Sequence, residues 1–146
     1  KIINIFRCND NINCFYEKAL KYYETDLILL AGFMKKIPVN IIKLYNNKIM
    51  NIHPSLLPKY GGIGFYGMNV HNAVIASKDK FSGATVHFVN EEYDKGSIII
   101  QEEVEISSCE DSVSLSKKIL DIEHKIYPKA VKLFCVNELQ LLEKKY

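Results

Sequence analysis

Hydrophobic residues recur along the first part of this chain in the order strand, helix, strand. Residues 26–31 form a continuous apolar run closed by Gly32, which is typical of a parallel strand covered on both faces. Pro38 fits the first turn of a helix that extends to about Asn46, and residues 48–51 form the next predicted strand. This order predicts a parallel crossover unit and therefore an α/β fold.

The second half of the chain predicts an antiparallel strand pair followed by a long helix. Residues 83–89 and 97–104 read as two strands joined by a polar loop that ends in glycine. Asp111 or Ser112 fits the cap of a helix whose apolar residues recur every three or four positions. Pro128 is expected to begin a separate helical segment.

Three further segments complete the predicted order of elements. Residues 14–23 and 68–77 have apolar stripes at helical spacing, and residues 1–6 form a possible short strand. No linker or repeat divides the chain. We therefore predict an open, mostly parallel sheet with helices on both faces, in a single domain spanning residues 1–146.

Composition narrows the functional class. A hydrophobic content of 48% excludes intrinsic disorder, and a net charge of +2 with dispersed lysines argues against a nucleic-acid surface. No apolar run approaches the roughly 20 residues that cross a bilayer, so no membrane partner is predicted. The four cysteines lack zinc-site spacing, which favours free thiols in a cytoplasmic protein.

The candidate chemistry lies where the strand at residues 48–51 ends. Asn51 and His53 are two positions apart, so their side chains point to the same side, and Pro54 restricts His53 to extended backbone. With the carboxylate of Asp94, this amide and imidazole could stabilise an oxyanion and transfer a proton. A neighbouring carboxylate predicts a raised pKa for His53.

Other interpretations of these residues remain open. His53 could be a solvated loop residue, and His87 a hydrogen-bonded scaffold residue. Metal ligation by His53, His87 and Asp94 is a competing hypothesis, although the chain has no HExxH spacing. Ser55 lacks the surroundings of a nucleophilic serine, which favours direct attack by a substrate amine or by water.

Three segments in consistent order carry a family resemblance. They are Ala-Gly-Phe-Met at residues 31–34, Asn-Ile-His-Pro-Ser-Leu-Leu-Pro-Lys-Tyr at 51–60, and the stretch 83–96 that ends in Asp-Lys-Gly. With similarity from about residue 26 to 134, the chain resembles the phosphoribosylglycinamide formyltransferases, which are folate-dependent formyltransferases. The resemblance implies a Rossmann-type fold and formyl transfer from 10-formyltetrahydrofolate to glycinamide ribonucleotide in purine biosynthesis, with no metal.

The resemblance also implies roles for individual residues. Asn51 would be the catalytic amide, His53 the proton-transferring imidazole, and Asp94 the carboxylate that keeps His53 suitably charged. The residues implied to bind folate are Met34, Lys35, Lys36, Ile37, Asn90, Glu91, Glu92, Tyr93 and Asp94. Substrate contacts are implied at Ile52, Pro54 and Glu123, with the Glu123 carboxylate meeting the glycinamide amine.

The chain departs from the family pattern in three places. It lacks the first strand and Gly-Ser-Asn loop that hold the substrate phosphate, so we expect it to be incomplete at its N-terminus and, alone, to bind the ribonucleotide hardly at all. An arginine that contacts the formyl donor in the family would fall near Asn9, out of register with Arg7. The glycine loop at residues 61–67 is longer than in many members.

Two alternative functions follow. Formyltetrahydrofolate hydrolases use water instead of an amine and tend to carry histidine where this chain has Pro54. The other alternative is a non-catalytic folate-binding fragment, consistent with the missing phosphate loop. In either case we expect only small-molecule partners and a monomer or homodimer.

Overall fold

A single sheet organises the part of the chain that the structure describes. The structure is a computed structural model and describes residues 12–109 and 111–136. Four strands form the sheet in the order β1-β2-β3-β4: β1 (Ile28–Leu30), β2 (Ile49–His53), β3 (Phe81–Phe88) and β4 (Ile98–Glu105). The helices are α1 (Ile12–Tyr22), α2 (Val39–Leu44), α3 (Met68–Ala76) and α4 (Ser112–Cys135).

The strand directions confirm the predicted open α/β sheet. Strand β1 pairs in parallel with β2, while the β2–β3 and β3–β4 pairs are antiparallel. Three of the four strands therefore run in the same direction, and only β3 is reversed. The predicted crossover unit is β1-α2-β2, and the predicted antiparallel pair is β3-β4.

Alternation along β2 separates two hydrophobic cores. Met50 and Ile52 point toward the core that the sheet shares with α3 and α4. Ile49 points the other way and packs with residues of α1 and α2, including Leu20 and Ile41. Asn51 and His53 follow Ile49 at two-residue intervals, so their side chains lie on the face of the sheet that points away from α4.

Helix α4 is held by a buried stripe and a well-formed cap. Asp111 accepts a hydrogen bond from the Ser114 amide at 2.7 Å, and the Ser114 hydroxyl completes a capping box. The buried stripe consists of Leu115, Ile119, Ile122, Ile126 and Ala130. Each large aliphatic residue in it contributes roughly 1.5–3 kcal/mol through burial.

The prediction that Pro128 begins a new segment is wrong, because α4 continues through it to Cys135. A proline inside a helix costs about 3 kcal/mol, since it removes one backbone hydrogen bond. Ile126 and Ala130 are fully buried on either side of Pro128, and their packing offsets that cost. No helix in residues 12–109 and 111–136 is long and apolar enough to cross a membrane. The possible strand at residues 1–6 lies outside the described residues.

Candidate active site

The end of β2 carries the two side chains on which the predicted chemistry depends. Strand β2 continues to His53, two residues beyond the predicted end, because its last residues pair with β3. Asn51 lies opposite His87, and His53 lies opposite Thr85. The Asn51 and His53 side chains therefore share one face of the sheet, as predicted, and His53 is buried.

His53 has polar partners at both ring nitrogens. Its Nε2 lies 2.7 Å from the carbonyl oxygen of Tyr60, and its Nδ1 lies 3.7 Å from Oδ2 of Asp94. The predicted proximity of His53 to Asp94 is confirmed. A carbonyl only accepts hydrogen bonds, so Nε2 carries a hydrogen and donates it to Tyr60. The nitrogen that faces Asp94 is then the one that can gain or lose a proton.

The predicted rise in the pKa of His53 is wrong in its net direction. Burial lowers this pKa, because the charged imidazolium loses its hydration. The negative charge of Asp94 and the Tyr60 carbonyl raise the pKa, but together they do not outweigh burial. The Asp94 carboxylate raises the pKa as expected, but the near-complete burial of the imidazole was not predicted from the local sequence. Neutral His53 is therefore the favoured form near pH 7.

Asp94 is held in place by its backbone and by a glycine amide. The residue adopts a left-handed conformation with φ of 55°, and the Gly62 amide donates to its Oδ2 at 2.8 Å. Burial raises the pKa of Asp94, but the contact with His87, the hydrogen bond from the Gly62 amide and the nearby imidazoles together lower it by more, so the net pKa is below its usual value. A Cβ at Gly61 would lie 2.5 Å from Cδ2 of Leu57 and 3.3 Å from Cβ of Asp94, so a larger residue there would displace the Leu57 side chain.

His87 is buried and hydrogen-bonded, as its interpretation as a scaffold residue predicted, and it also lines the cleft beside Asn51. Its Nδ1 donates to the Phe88 carbonyl at 2.7 Å, so its Nε2 accepts a hydrogen bond from the Asn51 amide at 3.3 Å. The same Nε2 lies 3.6 Å from Oδ1 of Asp94. Of the two Asn51 N–H groups, one is used by His87, and the other remains for a ligand.

The two segments predicted to bind folate line one cleft. Its walls include Lys35, Lys36 and Ile37 on one side and residues 90–94 on the other, with Asn51 and His87 between them. The Lys36 ammonium lies 5.8 Å from the centre of the Tyr93 ring. Met34 does not line this cleft, and its side chain is 65% exposed. The remaining lining residues are Leu30, Phe33 and Val89.

The three residues predicted to contact substrate lie in different surroundings. The Ile52 side chain is buried in the core beside α4, so only its backbone groups remain for a ligand. Pro54 is partly buried directly after β2. Glu123 is half-buried on α4 with no hydrogen-bond partner among the described residues, and burial raises its pKa more than the His124 charge lowers it. In the part of the chain that the structure describes, no hydrogen bond or ion pair joins Glu123 to Asn51 or His53.

Tyr127 connects α4 to the strand ends beside the cleft. Its hydroxyl lies 2.9 Å from the Leu30 carbonyl and 3.1 Å from the Met50 carbonyl. It therefore holds the carboxyl end of β1 against β2 at the residue that precedes Asn51. Among residues 12–109 and 111–136, no group of three or more histidine, cysteine, aspartate or glutamate side chains is arranged to hold a metal ion.

Comparison with known proteins gives consistent matches. The sequence profile described as "Formyl transferase" matches residues 6–131. The chain is 46% identical over 126 residues to the chloroplastic phosphoribosylglycinamide formyltransferase of Vigna unguiculata, covering 86% of this chain and 40% of that protein. It is 42% identical over 122 residues to the phosphoribosylglycinamide formyltransferase of Haemophilus influenzae, covering 84% of this chain and 55% of that protein.

A solved structure supports the same grouping. The phosphoribosylglycinamide formyltransferase of Anaplasma phagocytophilum superposes with a TM-score of 0.77 at 36% identity, covering 84% of this chain and 58% of that one. This chain therefore spans about half of the length of the relatives that it matches.

Proposed function

Because this chain belongs to the formyl transferase family, we propose that it transfers the formyl group of 10-formyltetrahydrofolate to the amine of glycinamide ribonucleotide. The observation that carries the proposal is the cluster of Asn51, His53, His87 and Asp94 beside a cleft lined by both predicted folate segments. Such a cluster supplies a fixed amide donor and a neutral imidazole that can accept a proton.

Asn51 would stabilise charge on the formyl oxygen. When an amine attacks the formyl carbon, the carbonyl oxygen becomes an oxyanion, which requires a donor already in position. The contact with His87 orients the Asn51 amide and leaves one N–H free. This arrangement costs no reorganisation during the reaction, because His87 is itself fixed by the Phe88 carbonyl.

His53 would move the proton. Its lowered pKa favours a neutral imidazole, whose Nδ1 can accept the proton that the attacking amine must lose. Asp94 stabilises the imidazolium formed in this step. Nδ1 then gives the proton to the departing folate nitrogen as the bond from that nitrogen to the formyl carbon breaks. The new bond joins the formyl carbon to the amine nitrogen, and no oxidant or metal is consumed.

Glu123 would meet the amine of the acceptor. A cationic partner stabilises the charged form of a half-buried carboxylate, and the raised pKa of Glu123 suits it to take the proton that an ammonium group must lose before its nitrogen attacks. We place the folate against the walls formed by residues 35–37 and 90–94, where polar side chains and backbone surround the cleft.

The test is an assay of the intact protein with 10-formyltetrahydrofolate, in the presence and absence of glycinamide ribonucleotide. We expect formylated ribonucleotide and tetrahydrofolate in equal amounts, and little formate without the acceptor. Formate release that does not depend on the acceptor would identify a hydrolase instead. Folate binding without either product would identify a non-catalytic binding protein.

A matched pair of histidine variants ties the result to this site. His53→Gln is expected to abolish most of the transfer, whereas His124→Gln, at an exposed position on α4, is expected to retain it. Equal activity of the two variants would contradict the assignment of His53.

A further inference from the structure

A row of three side chains crosses the sheet at the level of His53. His53 faces Thr85 across the β2–β3 pair, and Thr85 faces Gln101 across the β3–β4 pair. The Thr85 side chain is completely buried. Neither Thr85 nor Gln101 has a role in the reaction described above.

The hydrogen-bonding capacity of the Thr85 hydroxyl is fully used. It donates to the Ser55 carbonyl at 2.6 Å and accepts from the Leu57 amide at 3.1 Å and from Nε2 of Gln101 at 2.8 Å. A hydroxyl has one hydrogen to donate and two lone pairs, so no capacity remains. The same Gln101 nitrogen also donates to the Leu57 carbonyl at 3.0 Å.

These bonds fix the backbone of residues 55–60, which we call the pinned loop. Within it, the Ser55 hydroxyl donates to the Lys59 carbonyl at 2.6 Å. At its far end, the Lys59 ammonium and the Tyr60 hydroxyl both contact Asp79, at 2.6 Å and 2.7 Å. The pinned loop is thus tied at its start, middle and end, and it presents the Tyr60 carbonyl to His53.

We propose that Thr85, supported by Gln101, is a positioning residue that sets the tautomer of His53. The Tyr60 carbonyl lies 2.7 Å from Nε2 of His53 and can only accept a hydrogen bond. It therefore keeps hydrogen on Nε2 and leaves Nδ1, which faces Asp94, as the nitrogen that exchanges a proton. Without this carbonyl in place, the neutral imidazole can carry its hydrogen on either nitrogen.

Thr85 can hold the pinned loop in place because the hydroxyl that bonds to the loop backbone is buried. Thr85→Val keeps the shape of the side chain but leaves the Leu57 amide without its acceptor and the Ser55 carbonyl without its donor. Buried backbone groups rarely remain unpaired, so the pinned loop must shift to satisfy them. A shift of the loop moves the Tyr60 carbonyl away from His53.

The test is nitrogen NMR of the His53 ring in the intact protein, without substrates, in wild type, Thr85→Val and Thr85→Ser. The chemical shifts of the two ring nitrogens report which one carries hydrogen. We expect a single tautomer in wild type, a mixture in Thr85→Val, and recovery in Thr85→Ser. The neighbouring titratable groups Asp94, His87 and His71 are unchanged in all three proteins, and Ser82→Ala, a buried hydroxyl on the opposite face of β3, serves as the control.

Kinetics provide the second measurement, and this part alone depends on the proposed function. In Thr85→Val, kcat is expected to fall roughly 10- to 100-fold, the cost of misplacing a reacting group by about 1 Å, while KM for folate stays unchanged. A folded Thr85→Val protein with the single wild-type tautomer would overturn the inference.

If Thr85→Val does not fold, Gln101→Met decides the question by the same criterion, because Gln101 is exposed on β4. A mixture of tautomers supports the inference, and a single wild-type tautomer overturns it. Because the NMR measurement needs no substrate, an inactive wild-type protein that still shows the Thr85 effect would reject the proposed function alone.

Discussion

Two walls of the candidate site are built in opposite ways. The pinned loop, residues 55–60, includes the buried residues Ser55 and Leu57 and is tied to β3 and β4 by hydrogen bonds to Thr85 and Gln101. The outer wall, residues 35–36 and 90–93, is exposed. The side that fixes His53 is therefore rigid, and the side predicted to bind folate is free to adapt to a large ligand.

The hydrogen bonds and ion pairs in and next to the outer wall are weak by comparison. They include an Asn90 side-chain bond to the Glu92 amide at 3.0 Å and an exposed Lys95–Glu92 ion pair at 2.7 Å. Exposed ion pairs contribute about 0–1 kcal/mol, whereas leaving one buried polar group unpaired costs roughly 1–3 kcal/mol. Substitutions in the two walls should accordingly differ both in the kinetic parameter that changes and in the size of the change.

The largest effect is expected at His53. His53→Gln keeps most of the buried volume but removes the titrating group, so kcat should fall by about 10²- to 10⁴-fold, the usual contribution of general acid–base catalysis. Because the side chain is buried, glutamine is preferable to alanine, which would leave a cavity. Steady-state kinetics and a thermal melt check both points, and a variant that is folded and fully active would contradict the role.

Loss of the Asn51 amide should rank next. Asn51→Ala removes the donor for the oxyanion, and the loss of one such donor costs about 10²- to 10³-fold in kcat. Since His87 stays hydrogen-bonded to Phe88, the strand pair should remain intact. A change confined to KM would show that Asn51 binds the ligand without stabilising the transition state.

Acid should destabilise the folded protein through two histidines whose pKa burial lowers. Burial lowers the folded-state pKa of both His53 and His71 below 6.5, so the unfolded chain binds more protons as the pH falls. The free energy of unfolding should therefore decrease as the pH falls from about 6.5, by at most about 1.4 kcal/mol per pH unit for each proton. The Asp94 contribution is lost only below its usual pKa of 3.8, as the pH approaches its lowered folded value.

Urea denaturation at a series of pH values measures this slope. Replacing His53 by glutamine should remove its share of the slope between the folded-state pKa and 6.5. An unchanged slope in His53→Gln would mean that the imidazole is not buried in its neutral form.

The smallest effect is expected on the outer wall. Tyr93→Ala removes the ring that Lys36 faces, and an exposed cation–π contact contributes about 0.5–1 kcal/mol. Because folate is proposed to bind the outer wall as this contact holds it, its loss should raise KM for folate by roughly 2- to 5-fold. The value of kcat should stay the same. Tyr22→Ala, at an 80% exposed position on α1, is the control for loss of a surface tyrosine. A large fall in kcat in Tyr93→Ala would mean that this wall also positions reacting groups.

Local patterns predicted most of the fold and part of the site. Alternation placed Asn51 and His53 on one face, and hydrophobic runs located every helix and strand within the described residues. The involvement of His87 depends on its pairing with Asn51, a register between strands that local sequence does not define. The helix through Pro128 and the lowered pKa of His53 both depend on burial by distant residues, which periodicity does not reveal.

Amide hydrogen exchange, with and without a bound folate, tests the contrast between the two walls most directly. Exchange reports local opening residue by residue. In the free protein, the Leu57 amide, which donates to buried Thr85, should exchange slowly, and the amides of residues 91–93 should exchange fast. Adding folate should slow residues 91–93 and leave residues 55–60 unchanged. Fast exchange at Leu57 in the free protein, with equal protection of both walls on binding, would contradict the account.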